Sequence, residues 1–167
     1  MPTVSEVIAG TADAVAQDVT KAQALVRTSG HLTGPVETTL RSGRHTVIVD
    51  EPAGLAGQDD APGPVDFALI APASCQAVTY RFWATKLGYE LDDVEVVAEA
   101  DLDLRGFFGL DDEVRPGFGA VRIAVTPKGP ESAERYAELT EAVNAHCPVL
   151  DLFSNPTPVE HRIAVGV

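Results

Sequence analysis

The sequence predicts an α+β domain built on antiparallel sheet, and three observations lead there. Residues 91–104 alternate apolar and acidic side chains, the pattern of a half-buried strand. Residues 64–87 form a long, largely apolar helical run opened by Pro64 and stopped by Gly88. Around them lie short β-branched segments broken by Gly and Pro, with no internal repeat and no second domain.

In chain order, Val4, Val7, Ile8, Thr11, Ala14 and Val15 recur at helical spacing, which predicts a helix over 3–18. This is a helical extension, residues 1–20, ahead of a domain spanning 21–167. The segments AQALVRTSGHL, PVETTL and RHTVIVD, broken by Gly30, Gly34-Pro35 and Gly43, read as two or three antiparallel strands. EPAGLAGQDDAPG is a loop. The helix from Pro64 is apolar nearly all round between 65 and 78, through Val65, Phe67, Leu69, Ile70, Ala73, Ala77 and Val78. A helix apolar on every side is buried on every side, which in a chain this small calls for a partner subunit.

In the alternating strand, Val94, Val96, Ala98, Ala100, Leu102 and Leu104 face one way, and Asp93, Glu95, Glu99, Asp101 and Asp103 the other. Its expected partner is 118–126, with Val121, Ile123 and Val125. Gly129-Pro130 is expected to cap a second helix, ESAERYAELTEAVNAHC, whose Glu131 and Glu134 suit the first turn. VEHRIAV reads as a final strand.

Composition excludes several function classes. The 167 residues are 45% hydrophobic and 22% charged, ordinary for one globular domain. The net charge of −13 argues against nucleic acid or an anionic membrane as partner. MPTVSEVIAGTADAVAQD has neither the basic nor the hydrophobic region of a secretory signal, so a cytoplasmic location is expected. DLDLRGFFGLDD places Asp101, Asp103, Gly106 and Asp112 as a calcium loop would, but Arg105 takes a ligand position, so a solvated strand and turn is expected. Cys75, Cys147, His31, His45, His146 and His161 lack zinc-site spacing, and no GxSxG, GxxxxGK[ST] or GxGxxG occurs. No metal and no cofactor is expected.

The two thiols remain. Cys75 is either a small buried hydrophobe or a nucleophile. Pro72 removes a helical hydrogen bond one turn before it, and Ala71, Ala73, Ser74 and Ala77 leave room for close approach. A reactive thiol there needs a cation, from Arg27, Arg41 or Arg44, with Arg44 the first choice. Cys147 either ends the second helix or caps a short helix opened by Pro148, and the two placements have opposite effects on its thiolate. Near an element end it suits a resolving cysteine better than a first nucleophile.

A strand ending in DEP, a Gly/Asp-rich loop, PxxFALxAxASC opening a long helix, and a later CPV together resemble the OsmC/Ohr family of osmotically inducible and organic hydroperoxide resistance proteins. The resemblance covers roughly 25–167. It implies an OsmC-like fold with a long central cysteine-bearing helix in an intertwined homodimer. It also implies a peroxidase acting on organic hydroperoxides, with Cys75 peroxidatic, Cys147 resolving and a dithiol as reductant. Peroxidase members open this helix with a glutamate ten residues before the cysteine; here that position is Val65, and Glu51 is the candidate substitute. A non-catalytic dimer binding a small apolar or thiol-bearing ligand is the alternative.

Overall fold

A computed structural model of the chain describes residues 1–166. The N-terminal helix α1 (Val4–Gln17) begins at a capping box in which the Thr3 hydroxyl accepts from Glu6 N (3.2 Å) and the Glu6 carboxylate accepts from Thr3 N (2.7 Å). It lies along the long helix described below and buries none of its residues fully.

Three strands follow, β1 (Thr28–Leu32), β2 (Thr38–Ser42) and β3 (His45–Val49), paired antiparallel in the order β1-β2-β3. Gly43, at φ 57°, makes the tight turn that sets Ser42 opposite His45. Leu40, Val47 and Val49 share one face of this sheet and, with Pro64 and Phe67, line an apolar groove of about 500 Å³.

The loop after β3 is organised by Asp50, which is buried. Its carboxylate accepts from the backbone N–H of Gln58 (2.9 Å) and of Asp60 (3.3 Å), replacing water with fixed donors. Those donors, the Gln58 amide foremost, hold the Asp50 carboxyl below its ordinary value. A depressed folded-state pKa contributes stability above the unfolded value of about 3.9, and that stability is lost as pH falls through the folded value. Asp50→Asn is therefore expected to lower stability at neutral pH and to flatten the acid limb below about pH 4. Urea denaturation across pH 2–7 checks this.

Helix α2 (Pro64–Leu87) starts where the sequence predicts, with Asp66 Oδ2 accepting from Gly63 N at 2.8 Å and Pro64 at its first position. It ends at Gly88, whose left-handed φ of 71° suits the C-terminal stop. Pro72, Gln76, Thr79, Tyr80 and Ala84 form one buried stripe at helical spacing. Val65, Ile70, Val78 and Phe82 on its other sides are exposed, Val78 by 58%. The all-round burial expected from the sequence is not met within one chain, which supplies packing elements for one side of the helix only.

Strands β4 (Asp93–Asp101) and β5 (Ala120–Lys128) pair antiparallel from Asp93↔Lys128 to Asp101↔Ala120. Their inner residues turn toward α2 while Lys128 pairs with Glu95 (3.0 Å) and Arg122 with Glu99 (2.6 Å) on the solvent face. The strand expected to reach Leu104 stops at Asp101 because Asp103 Oδ1 accepts from Arg105 N (3.0 Å) and caps a one-turn helix, α3 (Leu104–Phe107).

Helix α4 (Ala133–Asn144) is capped by Ser132, whose Oγ accepts from Arg135 N (3.3 Å), not by the expected Gly129-Pro130. Tyr80, Ala84, Leu91, Leu139 and Val143 make the core where α4, α2 and the sheet meet, and the Tyr80 hydroxyl donates to Thr140 Oγ1 at 2.8 Å. The second helix ends at Asn144, short of Cys147, and a separate helix α5 (Pro148–Ser154) follows. The final strand expected at VEHRIAV is not formed: residues 155–166 are exposed and find no ladder partner among the described residues.

Candidate functional site

Cys75 lies on the fourth turn of α2, half-buried, and Cys147 is buried at the cap position of α5. Pro148 decides the second placement. It forces the residue before it out of helical geometry, here φ −80°, ψ 109°, and then serves as the first residue of α5. Because α5 packs on α2, the two cysteines, far apart in sequence, become side-chain neighbours as free thiols.

Burial is the main influence on Cys147 and pushes its thiol up, since the interior disfavours the charged form. The Leu150 N–H pulls the other way, the adjacent Cys75 thiol adds to the rise, and the Thr79 hydroxyl opposes it. Cys147 is thus held as a neutral thiol. In a Cys75→Ser protein, alkylation of Cys147 by iodoacetamide is expected to stay slow at pH 7 and to rise only above the ordinary thiol value of about 8.5. Peptide-resolved mass spectrometry across pH 6–10 measures it.

Thr79, one turn after Cys75, is the polar side chain shared by the pair. Its Oγ1 donates to Cys75 O at 2.7 Å and lies 3.9 Å from Cys75 Sγ. His146, beside Cys147, stacks on Trp83 of α2 with ring centroids 4.1 Å apart, which ties the cysteine-bearing turn to the helix. Beyond Gln76 and Tyr80 opens a cavity of about 680 Å³, bordered also by Val125, Thr140, Leu150 and Phe153. Gln76 Oε1 is buried with no hydrogen-bond partner among the described residues.

The other expected site residues lie elsewhere. Arg44 is exposed in the β2–β3 turn, and neither it nor Arg27 nor Arg41 forms an ion pair among the described residues. The Glu51 carboxylate reaches the start of α2, where its Oε2 lies 3.4 Å from where a Cβ on Gly63 would stand. From Gly63 to Cys75 the helix rises about 18 Å, so Glu51 marks the far end of the cysteine's helix. Val65 is exposed, and Asp66 is committed to the cap. Neither Thr79 nor Gln76 belongs to a sequence motif; the signal for Thr79 is its i+4 spacing from Cys75 on one helix face.

Among the described residues no cluster of His, Cys, Asp and Glu is placed to hold a metal ion, and no helix is long and apolar enough to cross a membrane.

The sequence profile of the family described as OsmC-like protein matches residues 57–162, more than half of the chain. No curated protein matches the sequence. Among solved structures, the chain is similar to an OsmC-like protein from Mycoplasma pneumoniae, with TM-score 0.69 and 14% identity over 79% of this chain and 89% of that one. An organic hydroperoxide resistance protein OsmC from Legionella pneumophila matches with TM-score 0.59 and 20% identity over 78% and 89%. The organic hydroperoxide resistance protein OhrB of Bacillus subtilis matches with TM-score 0.56 and 20% identity over 77% and 90%. At these identities the likeness establishes the fold.

Proposed function

The chain belongs to the OsmC-like protein family, and from that premise we propose that it is a thiol peroxidase that reduces organic hydroperoxides through Cys75 and Cys147. The observation that carries the reading is the pairing of a half-buried thiol on α2 with a fully buried thiol on α5. The Cys75 thiolate attacks the distal oxygen of the hydroperoxide; the O–O bond breaks, and the leaving alkoxide takes a proton and departs as the alcohol. Cys75 is oxidised to sulfenic acid. The Cys147 sulfur then displaces that hydroxyl, water leaves, and a disulfide joins the pair. A dithiol reductant, of the kind a cytoplasmic setting supplies, returns both thiols by exchange.

The working unit in this reading is an intertwined homodimer. Four features support it: the uncovered apolar side of α2, the apolar face of the three-stranded sheet, the orphaned Gln76 Oε1, and the unpaired C-terminal segment with Val159, Ile163 and Val165 exposed. A second copy also provides the route by which an arginine, Arg44 of its β2–β3 turn foremost, comes to Cys75, with Glu51 of that same copy steadying it.

The test is turnover. With cumene hydroperoxide and dithiothreitol, the purified protein is expected to convert many equivalents of hydroperoxide to alcohol. Consumption no faster than the protein-free control would overturn the proposal. Two observations favour a second reading, a non-catalytic dimer that binds a small apolar or thiol-bearing ligand: among the described residues the side chain hydrogen-bonded to Cys75 Sγ is Thr79 and not a cation, and Val65 stands where peroxidase members carry glutamate. That reading predicts thiols that stay reduced under excess hydroperoxide.

A further inference from the structure

We propose that Thr79 is a positioning residue for the thiol pair, its hydroxyl turning from the helix backbone to the Cys75 sulfur when that sulfur ionises. The inference builds on the thiol chemistry proposed above but concerns ionisation of Cys75 itself.

A threonine hydroxyl has one proton to donate and two lone pairs. In the reduced protein the proton is directed to Cys75 O, 2.7 Å away, which leaves the oxygen as an acceptor beside Cys75 Sγ at 3.9 Å. Cys75 O also accepts the Thr79 N–H in the ordinary i→i−4 ladder of α2, so it keeps a partner when the hydroxyl turns away. The turn is a rotation about one bond, and it exchanges a neutral hydrogen bond for one to an anion, the stronger kind. Thr79 is 8% exposed, so little water competes for either role. The same hydroxyl also opposes the rise of the Cys147 thiol.

Among the described residues no ionised side chain hydrogen-bonds to Cys75. The titratable group facing Cys75 is Cys147. On the packed elements Glu6 of α1 is engaged with Thr3, Glu95 of β4 with Lys128 of β5, Glu138 of α4 with Tyr89, and Asp151 of α5 with Asn155, while Asp13 of α1 and Glu141 of α4 are exposed to solvent. On α2 itself Asp66 caps the helix, Arg81 donates to Leu91 O and Lys86 lies over the Trp83 ring. His146 bonds Ala142 O through Nδ1.

The experiment follows iodoacetamide alkylation of Cys75 in the full-length reduced protein by peptide mass spectrometry across pH 6–10. Thr79→Val keeps the shape and removes the hydroxyl; its profile is expected to shift up by about one pH unit, with alkylation at pH 7 about tenfold slower. Thr79→Ser is expected to restore the wild-type profile. Should Thr79→Val fail to fold, Thr79→Ala must show the same upward shift. A wild-type profile in a folded Thr79→Val or Thr79→Ala protein overturns the proposal. So does a Thr79→Ser protein that behaves like the valine variant, since the methyl group would then be the cause. No hydroperoxide enters this measurement, so loss of the peroxidase reading would appear separately, as absent turnover in the wild type.

Discussion

Cys75→Ser is expected to abolish hydroperoxide turnover, with the rate falling by three orders of magnitude or more, as removal of a sole nucleophile does. The serine hydroxyl occupies nearly the same space but does not ionise near neutrality, so the packing around Thr79 and Cys147 survives while the attacking atom is lost. Cys147→Ser is expected to behave differently. That protein should consume a single equivalent of hydroperoxide and then stop, because sulfenic acid forms on Cys75 with no neighbouring thiol to displace the hydroxyl. The two variants separate the roles of the cysteines, and stopped-flow consumption of cumene hydroperoxide reads both. Equal loss of the first equivalent in the two variants would reverse or dissolve the assignment.

The largest expected effect on stability is at Leu139, which is fully buried in the core with Tyr80, Ala84, Leu91 and Val143. Leu139→Ala removes the buried side chain that binds α4 to α2 and leaves a void the rigid surroundings fill only in part. A loss of about 3 kcal/mol is expected, or a fall in Tm of roughly 6–12 °C for a chain of this size. The adjacent Tyr80–Thr140 hydrogen bond holds the same two helices and limits collapse into the void. Chemical denaturation measures the loss directly. A change below about 1 kcal/mol would show that α4 is not held by this cluster.

What was legible in the sequence was what local chemistry dictates. Pro64 and Gly88 bound α2 because one pre-sets helical φ and the other tolerates left-handed geometry. The alternation through Val94, Val96 and Ala98 is the pleat of β4, and its pairing with the segment around Ile123 is observed. The errors fall where a single side chain outvotes a pattern. Asp103 caps α3 and cuts β4 short, and Ser132 displaces the Gly-Pro pair as the cap of α4. VEHRIAV has the alternation of a strand, but a strand needs a neighbour, and the described residues provide none.

The site was legible in part. Both cysteines stand out because they are the only two, and Pro148 carried a choice that only the backbone could settle. That α5 folds back to set Cys147 beside Cys75 depends on packing between elements distant in sequence, which no local pattern encodes. Thr79 was hidden for another reason: a threonine inside a helix is ordinary until a sulfur is found beside it.

The most direct test of the central claim is intact-mass and peptide analysis of the reduced protein after one equivalent of an alkyl hydroperoxide. The account predicts loss of two hydrogens, no free thiol, and a linked peptide joining Cys75 to Cys147 within one chain. Two thiols still free, or a Cys75 oxidised while Cys147 remains reduced, would contradict it.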